Sequence, residues 1–141
     1  MTPPDCVLDS SDVIEALTRM LNAGPLDHFP KRRGDVDVLV ALAAAIFRPR
    51  QTYREDEVNA HLAAWLDKFT VPGALDHVSL RRLAVDRRYL LRNPAGTAYR
   101  LNAGMLEAEI CAEAQSIDPG EVLASLQTQR DKRKRERATK A

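Results

Sequence analysis

The residues of this chain best suited to intermolecular chemistry are arginines, and they fall into two groups. Residues 76–101 hold six (Arg81, Arg82, Arg87, Arg88, Arg92 and Arg100) against two acids, Asp76 and Asp86, a net of +4. Residues 130–141 hold seven bases (Arg130, Lys132, Arg133, Lys134, Arg135, Arg137 and Lys140) against Asp131 and Glu136, a net of +5. A guanidinium presents a planar fork of N–H donors that engages phosphate oxygens or the edge of a guanine two at a time. Grouped in this way, such side chains suit a polyanion or an acidic partner. The total of 21 bases and 20 acids conceals the grouping, because the first 129 residues sum to −4.

Other chemistries fare worse. The triplet Leu-Asp-His occurs twice, at Leu26-Asp27-His28 and Leu75-Asp76-His77, and two carboxylates with two imidazoles could in principle bind a divalent metal. No His-x-x-x-His spacing supports this, and Asp76 already has a sufficient role as a helix cap, so no metal is expected. His61 reads as a helix residue at the surface. There is no Gly-rich phosphate loop, Gly-x-Ser-x-Gly or His-Glu-x-x-His, and the acids at 55–57 suit a helix's first turn better than acid–base work. Neither an enzyme nor a cofactor is expected. Cys6 and Cys111 lie far apart with no CxxC, so they read as free, reduced thiols of a cytoplasmic protein. The longest apolar run, residues 38–47, is too short to span a bilayer, and the first residues lack the pattern of a secretory signal. With 45% apolar and 29% charged residues the expectation is a cytoplasmic globular domain without membrane contact.

The elements that would position the arginines follow from periodicity. Ser10-Ser11 can cap a helix with apolar Val13, Ile14, Leu17, Met20 and Leu21, stopped by Gly24-Pro25. Residues 26–34 read as a linker with a basic knot at Lys31-Arg32-Arg33. Asp35 and Asp37 then open a helix that is apolar on every face through Phe47 and belongs at the centre of the fold. Thr52 and Glu55 fit a capping box ahead of the stripe Val58, Leu62, Trp65, Leu66 and Phe69, which reads as core rather than a stacking platform. Asp76 caps the next helix, with Leu80, Leu83 and Ala84 inward. Residues 89–92 and 98–101 form a hairpin around Asn93-Pro94-Ala95-Gly96-Thr97. An acidic helix is expected over residues 105–115, and another starts at Asp118-Pro119 and runs into the basic tail.

Three helices followed by a hairpin is the order of a winged helix-turn-helix, with residues 76–88 as the recognition helix and the hairpin as the wing. The fold class is thus mainly α with a small β-hairpin, a winged helix-turn-helix core plus C-terminal helices. Tyr53, Glu55, Glu57-Val58-Asn59 and Leu62 match Y-x-E-x-E-V-N-x-x-L. Asp76, Leu80-Arg81-Arg82, Val85-Asp86, Leu91-Arg92, Gly96 and Tyr99-Arg100 match a second run, and Phe29-Pro30-Lys31-Arg32 is similar to L-P-K-K. In these motifs residues 26–101 resemble a bacterial family catalogued as a domain of unknown function (number "twenty eighty-seven"). The resemblance implies a winged-helix-like domain, in a family often linked to helix-turn-helix regulators. Ala84 stands where that family usually has leucine, and Arg87-Arg88 where it often has a glycine to ease a positive φ.

Three segments are expected: 1–25 with one helix, 26–102 as the winged-helix-like domain, and 103–141 as a helical extension with a basic tail. The function this implies is a small DNA-binding protein, a transcriptional regulator contacting duplex DNA through Ser79, Arg81, Arg82, Arg87, Arg88, Arg92 and Arg100, with Arg133, Lys134 and Arg135 adding phosphate contacts. The alternative is a winged-helix module for protein or small-ligand binding, and RNA remains open as a partner. Arg81 and Arg82 also have a structural reading: Arg82 with Asp86 at i, i+4, and Arg81 with Glu55 or Glu57. A homodimer through the C-terminal helices, with the acidic helix at 105–115 as an interface, is a further expectation.

Overall fold

The computed structural model describes residues 6–139. The first helix, α1 (Ser10–Leu21), is capped by Asp9, not by Ser10-Ser11: the Asp9 carboxylate accepts the Asp12 N–H at 2.9 Å and the Asp12 carboxylate accepts the Asp9 N–H at 3.0 Å. This reciprocal box ties down two otherwise unpaired donors. It turns Val13, Ala16, Leu17 and Leu21 into the core. Helix α2 (Arg33–Ala44) begins within the basic knot and is buried continuously from Val38 to Ala44, as its all-apolar surface demands. Asp35, also buried, pairs with Arg19 of α1.

Thr52 does not cap a helix. It opens strand β1 (Thr52–Arg54), and helix α3 (Glu55–Asp67) starts directly behind it, with the Arg54 N–H donating to Glu57 Oε1 at 2.9 Å. The cause is Tyr53. Its ring packs edge-on against Phe47 at 5.0 Å and its hydroxyl accepts the Arg48 N–H at 3.0 Å, so the chain must run extended to aim it inward. Helix α3 buries Val58, Leu62, Trp65 and Leu66, and Trp65 meets Phe69 edge-on at 4.7 Å.

Helix α4 (His77–Asp86) is followed by strands β2 (Leu90–Arg92) and β3 (Ala98–Leu101). The strands form one antiparallel sheet in the order β1–β3–β2, with Tyr53 opposite Tyr99 and Leu91 opposite Arg100. In the hairpin turn the Asn93 side chain accepts the N–H groups of Thr97 and Ala98, and Gly96 takes φ +72°, a left-handed position that glycine occupies without cost.

The acidic helix expected over 105–115 is two pieces, α5 (Ala103–Glu109) and a 3₁₀ turn (Ala112–Ala114). It breaks because Ile110 is extended and pairs in parallel with Leu8: the Leu8 N–H donates to the Glu109 carbonyl at 2.9 Å and the Cys111 N–H to the Leu8 carbonyl at 2.8 Å. The same bridge overturns the reading of free thiols. It brings Cys6 beside Cys111, with Cα atoms 5.1 Å apart, and the two form a disulfide. A sequence separation of 105 hid the pairing from any spacing argument. Helix α6 (Pro119–Thr139) then carries the basic tail in helical form, although only Pro119 and Leu123 of it are buried.

The molecule is mainly helical with a small three-stranded sheet, and a single cluster of buried side chains runs from Val13 to Leu123. Among the described residues no helix is long and apolar enough to cross a membrane.

Candidate nucleic-acid interface

The candidate site is built on α4 and the β2–β3 hairpin. Asp76 starts α4 by accepting the Val78 N–H at 3.1 Å and the Ser79 hydroxyl at 3.0 Å. These two bonds, the backbone one first, hold its carboxyl below the usual aspartate range. Ser79, a predicted contact residue, thus donates within its own helix cap.

The arginines of this region divide by exposure. Arg81 points inward: its guanidinium pairs with Glu55 at 3.1 Å, donates to Asn59 Oδ1 at 2.6 Å and lies 5.8 Å from the centroid of Tyr99. Glu55 and Asn59 are four residues apart on α3, so they present one face to α4. That spacing was the available signal for a structural arginine, and of the two acids considered for Arg81 the partner is Glu55. Arg87 donates to Asp37 of α2 at 2.9 Å, a pairing across fifty positions that local spacing could not show.

Arg82, Arg88, Arg92 and Arg100 are exposed. Among the described residues, the ion pairs of this region are made by Arg81 and Arg87, and Arg82 makes none with Asp86. Arg82 and Arg92 share a cleft of about 340 Å³ with Glu55, Asp86 and Tyr99. Arg92 folds over the hairpin turn, so a Cβ on Gly96 would lie 2.9 Å from Arg92 Nε. Arg100 stands on the outer face of the sheet with Thr52 and the exposed Leu91. Arg133, Lys134 and Arg135 are exposed on α6, in the part of the helix that extends beyond its buried residues. Asp27 and His28 pair with each other, and among the described residues no group of three or more His, Cys, Asp or Glu is arranged to hold a metal ion.

Helix α4 ends in a turn that bears on Arg88. The Arg88 N–H donates to the Val85 carbonyl and the Tyr89 N–H to the Ala84 carbonyl, each at 3.0 Å, the paired bonds of a Schellman motif. Arg88 occupies its left-handed position, with φ +63°. The turn keeps its shape without glycine, and an exposed guanidinium stands at the junction of helix and strand.

In chain order the elements from α2 to β3 run helix, strand, helix, helix, strand, strand, with the first strand pairing the last. Residues 25–101 match the family of uncharacterized proteins conserved in bacteria, DUF2087, and the chain belongs to that family. No curated protein and no solved structure matches the chain.

Proposed function

We propose that this chain is a small DNA-binding protein that acts as a transcriptional regulator. In this reading α4 enters the major groove with Arg82 leading, the hairpin sets Arg92 and Arg100 against the backbone, and Arg88 meets a phosphate at the helix–strand junction. Arg133, Lys134 and Arg135 form an arm that adds affinity without choosing sequence. Ser79 and the two internally paired arginines, Arg81 and Arg87, shape the surface. The supporting observation is that, among the described residues 76–101, the arginines without an acid partner, Arg82, Arg88, Arg92 and Arg100, are the exposed ones on α4, at its junction with β2 and on the hairpin. A guanidinium kept out of internal pairs on a helix of groove-fitting width is free to engage guanine or phosphate.

The test is binding of the full chain to a labelled duplex by fluorescence anisotropy over a salt series, beside duplex RNA and single strands. Affinity for the DNA duplex is expected to fall steeply with salt. Arg82→Ala and Arg92→Ala should each weaken binding about tenfold, the size of one lost base-edge or charge-assisted contact. Deleting residues 130–141 should lower affinity and flatten the salt slope yet leave binding measurable. No duplex binding at low salt would remove the proposal. Binding abolished by the deletion and indifferent to Arg82 and Arg92 would reduce the helix and hairpin to a scaffold.

A further inference from the structure

A groove of about 580 Å³ runs between α1 and α6, lined by Ile14, Ile117, Val122 and Leu126 together with the acids Asp118 and Glu121. Ile14 is 42% exposed, although Val13 and Leu17 on the same helix are buried. Along α6 the stripe that holds Val122 and Leu126 continues as Arg130, Arg133 and Arg137, at i+4, i+7 and i+11 from Leu126. The start of the helix is therefore acidic, through Glu121 and through Asp118, which accepts the Gly120 N–H at 2.9 Å and lies 4.0 Å from Lys68 Nζ, and its second half is basic. From Gln127 to Arg137 it carries no apolar residue that the body could bury, and a lone polar helix of that length is weak in water.

These features together favour one partner. Two α6 helices side by side in parallel would oppose like charges. Arranged antiparallel and crossing near Leu126, each sets its basic half against the other's Asp118 and Glu121. The apolar residues Ile14, Val122 and Leu126 of both copies then meet in the middle. A patch that complements itself under a two-fold rotation is what a closed dimer requires. We propose that the α1–α6 groove is the interface through which two copies of this chain pair, with their α6 helices antiparallel. Arg135 falls on the opposite side of α6 from Leu126, so the interface leaves part of the basic arm outside it.

Sedimentation equilibrium of the full chain tests this without DNA, so its outcome is separate from that of the binding series. The expected species is a dimer of the 15.7 kDa chain that weakens as salt rises. Ile14→Glu, at an exposed position, should shift the equilibrium to monomer with an unchanged circular dichroism spectrum. Glu121→Lys should weaken association about tenfold, as like charges replace opposite ones, and adding Arg133→Glu to it should restore association by reversing the pair. A chain that stays monomeric up to millimolar concentration overturns the proposal. So does a dimer indifferent to both Ile14→Glu and Glu121→Lys.

Discussion

Arg81 carries a charge into a nearly closed site, and its surroundings account for its tolerance there. One side faces the Glu55 carboxylate, another the Asn59 amide oxygen, and the plane of the guanidinium approaches the Tyr99 ring. Removing it leaves Glu55 and Asn59 without their donor and opens a gap between α3, α4 and β3. Arg81→Ala is expected to destabilise the fold by about 2–3 kcal/mol, measured by urea denaturation, and Arg81→Lys to recover only part of that, since an ammonium cannot fork. DNA affinity of the folded fraction should hardly change. Tyr89 gives a pH test. Burial, reinforced by the negative charge of Glu109, pushes its phenol up to about 12 from 10.0. The folded chain thus keeps this proton over a range where the unfolded chain has lost it. Stability is whole below pH 10 and falls as pH rises towards 12, by at most about 1.4 kcal/mol per pH unit from this one group. Tyr89→Phe should remove that part of the alkaline slope in denaturant titrations.

At the scale of elements, the helix–strand junction after α4 is held in a conformation its side chain resists. A left-handed φ at Arg88 sets Cβ against the carbonyl, a cost that glycine does not bear. Arg88→Gly is expected to raise stability by about 1 kcal/mol in thermal or urea denaturation, while removing one phosphate contact and so flattening the salt slope of DNA binding. Helices α1 and α3 were legible because each repeats a core residue every three or four positions: on α3, Val58, Leu62, Trp65 and Leu66 do so, and all are buried. Strand β1 was not, because three residues give one alternation, and Thr52 and Glu55 imitate a helix cap. The break between α5 and the 3₁₀ turn was equally hidden. Nothing local to Ile110 calls for an extended residue; its partner Leu8 does, from the other end of the chain. The same asymmetry ran through the candidate site. Arg81's partners were foreseeable from a four-residue spacing on α3, whereas Arg87's partner, Asp37, is specified by how α2 packs against α4.

For the molecule as a whole, the segments flanking the family-matched region are part of the same core. Leu17 and Leu21 of α1, Leu106 of α5 and Leu123 of α6 belong to one buried cluster with Leu39, Leu62 and Leu80. The disulfide joins the two flanks directly. Closing a loop of about a hundred residues removes much of the unfolded chain's freedom, so reduction, or Cys6→Ser with Cys111→Ser, is expected to lower stability by about 2–5 kcal/mol in denaturant titrations run with and without dithiothreitol. The charge map also needed the three-dimensional fold: residues 76–101 sum to +4, yet two of their six arginines are spent on internal pairs.

The sulfur bridge also decides what a pull on the molecule can reach. Tension applied between Cys6 and α6 passes from Cys6 to Cys111 through the bond and on into α6, bypassing the residues between the two cysteines. The β2–β3 hairpin, α4 and the core beneath them sit on a covalent bypass, roughly 370 Å of contour (105 steps at ~3.5 Å) that stays folded under load until the sulfurs part. Among the described residues, the 3₁₀ turn after Cys111 and α6 lie in the line of force. Helix α6, anchored in the core through Leu123, therefore takes the load while α4 and the hairpin do not.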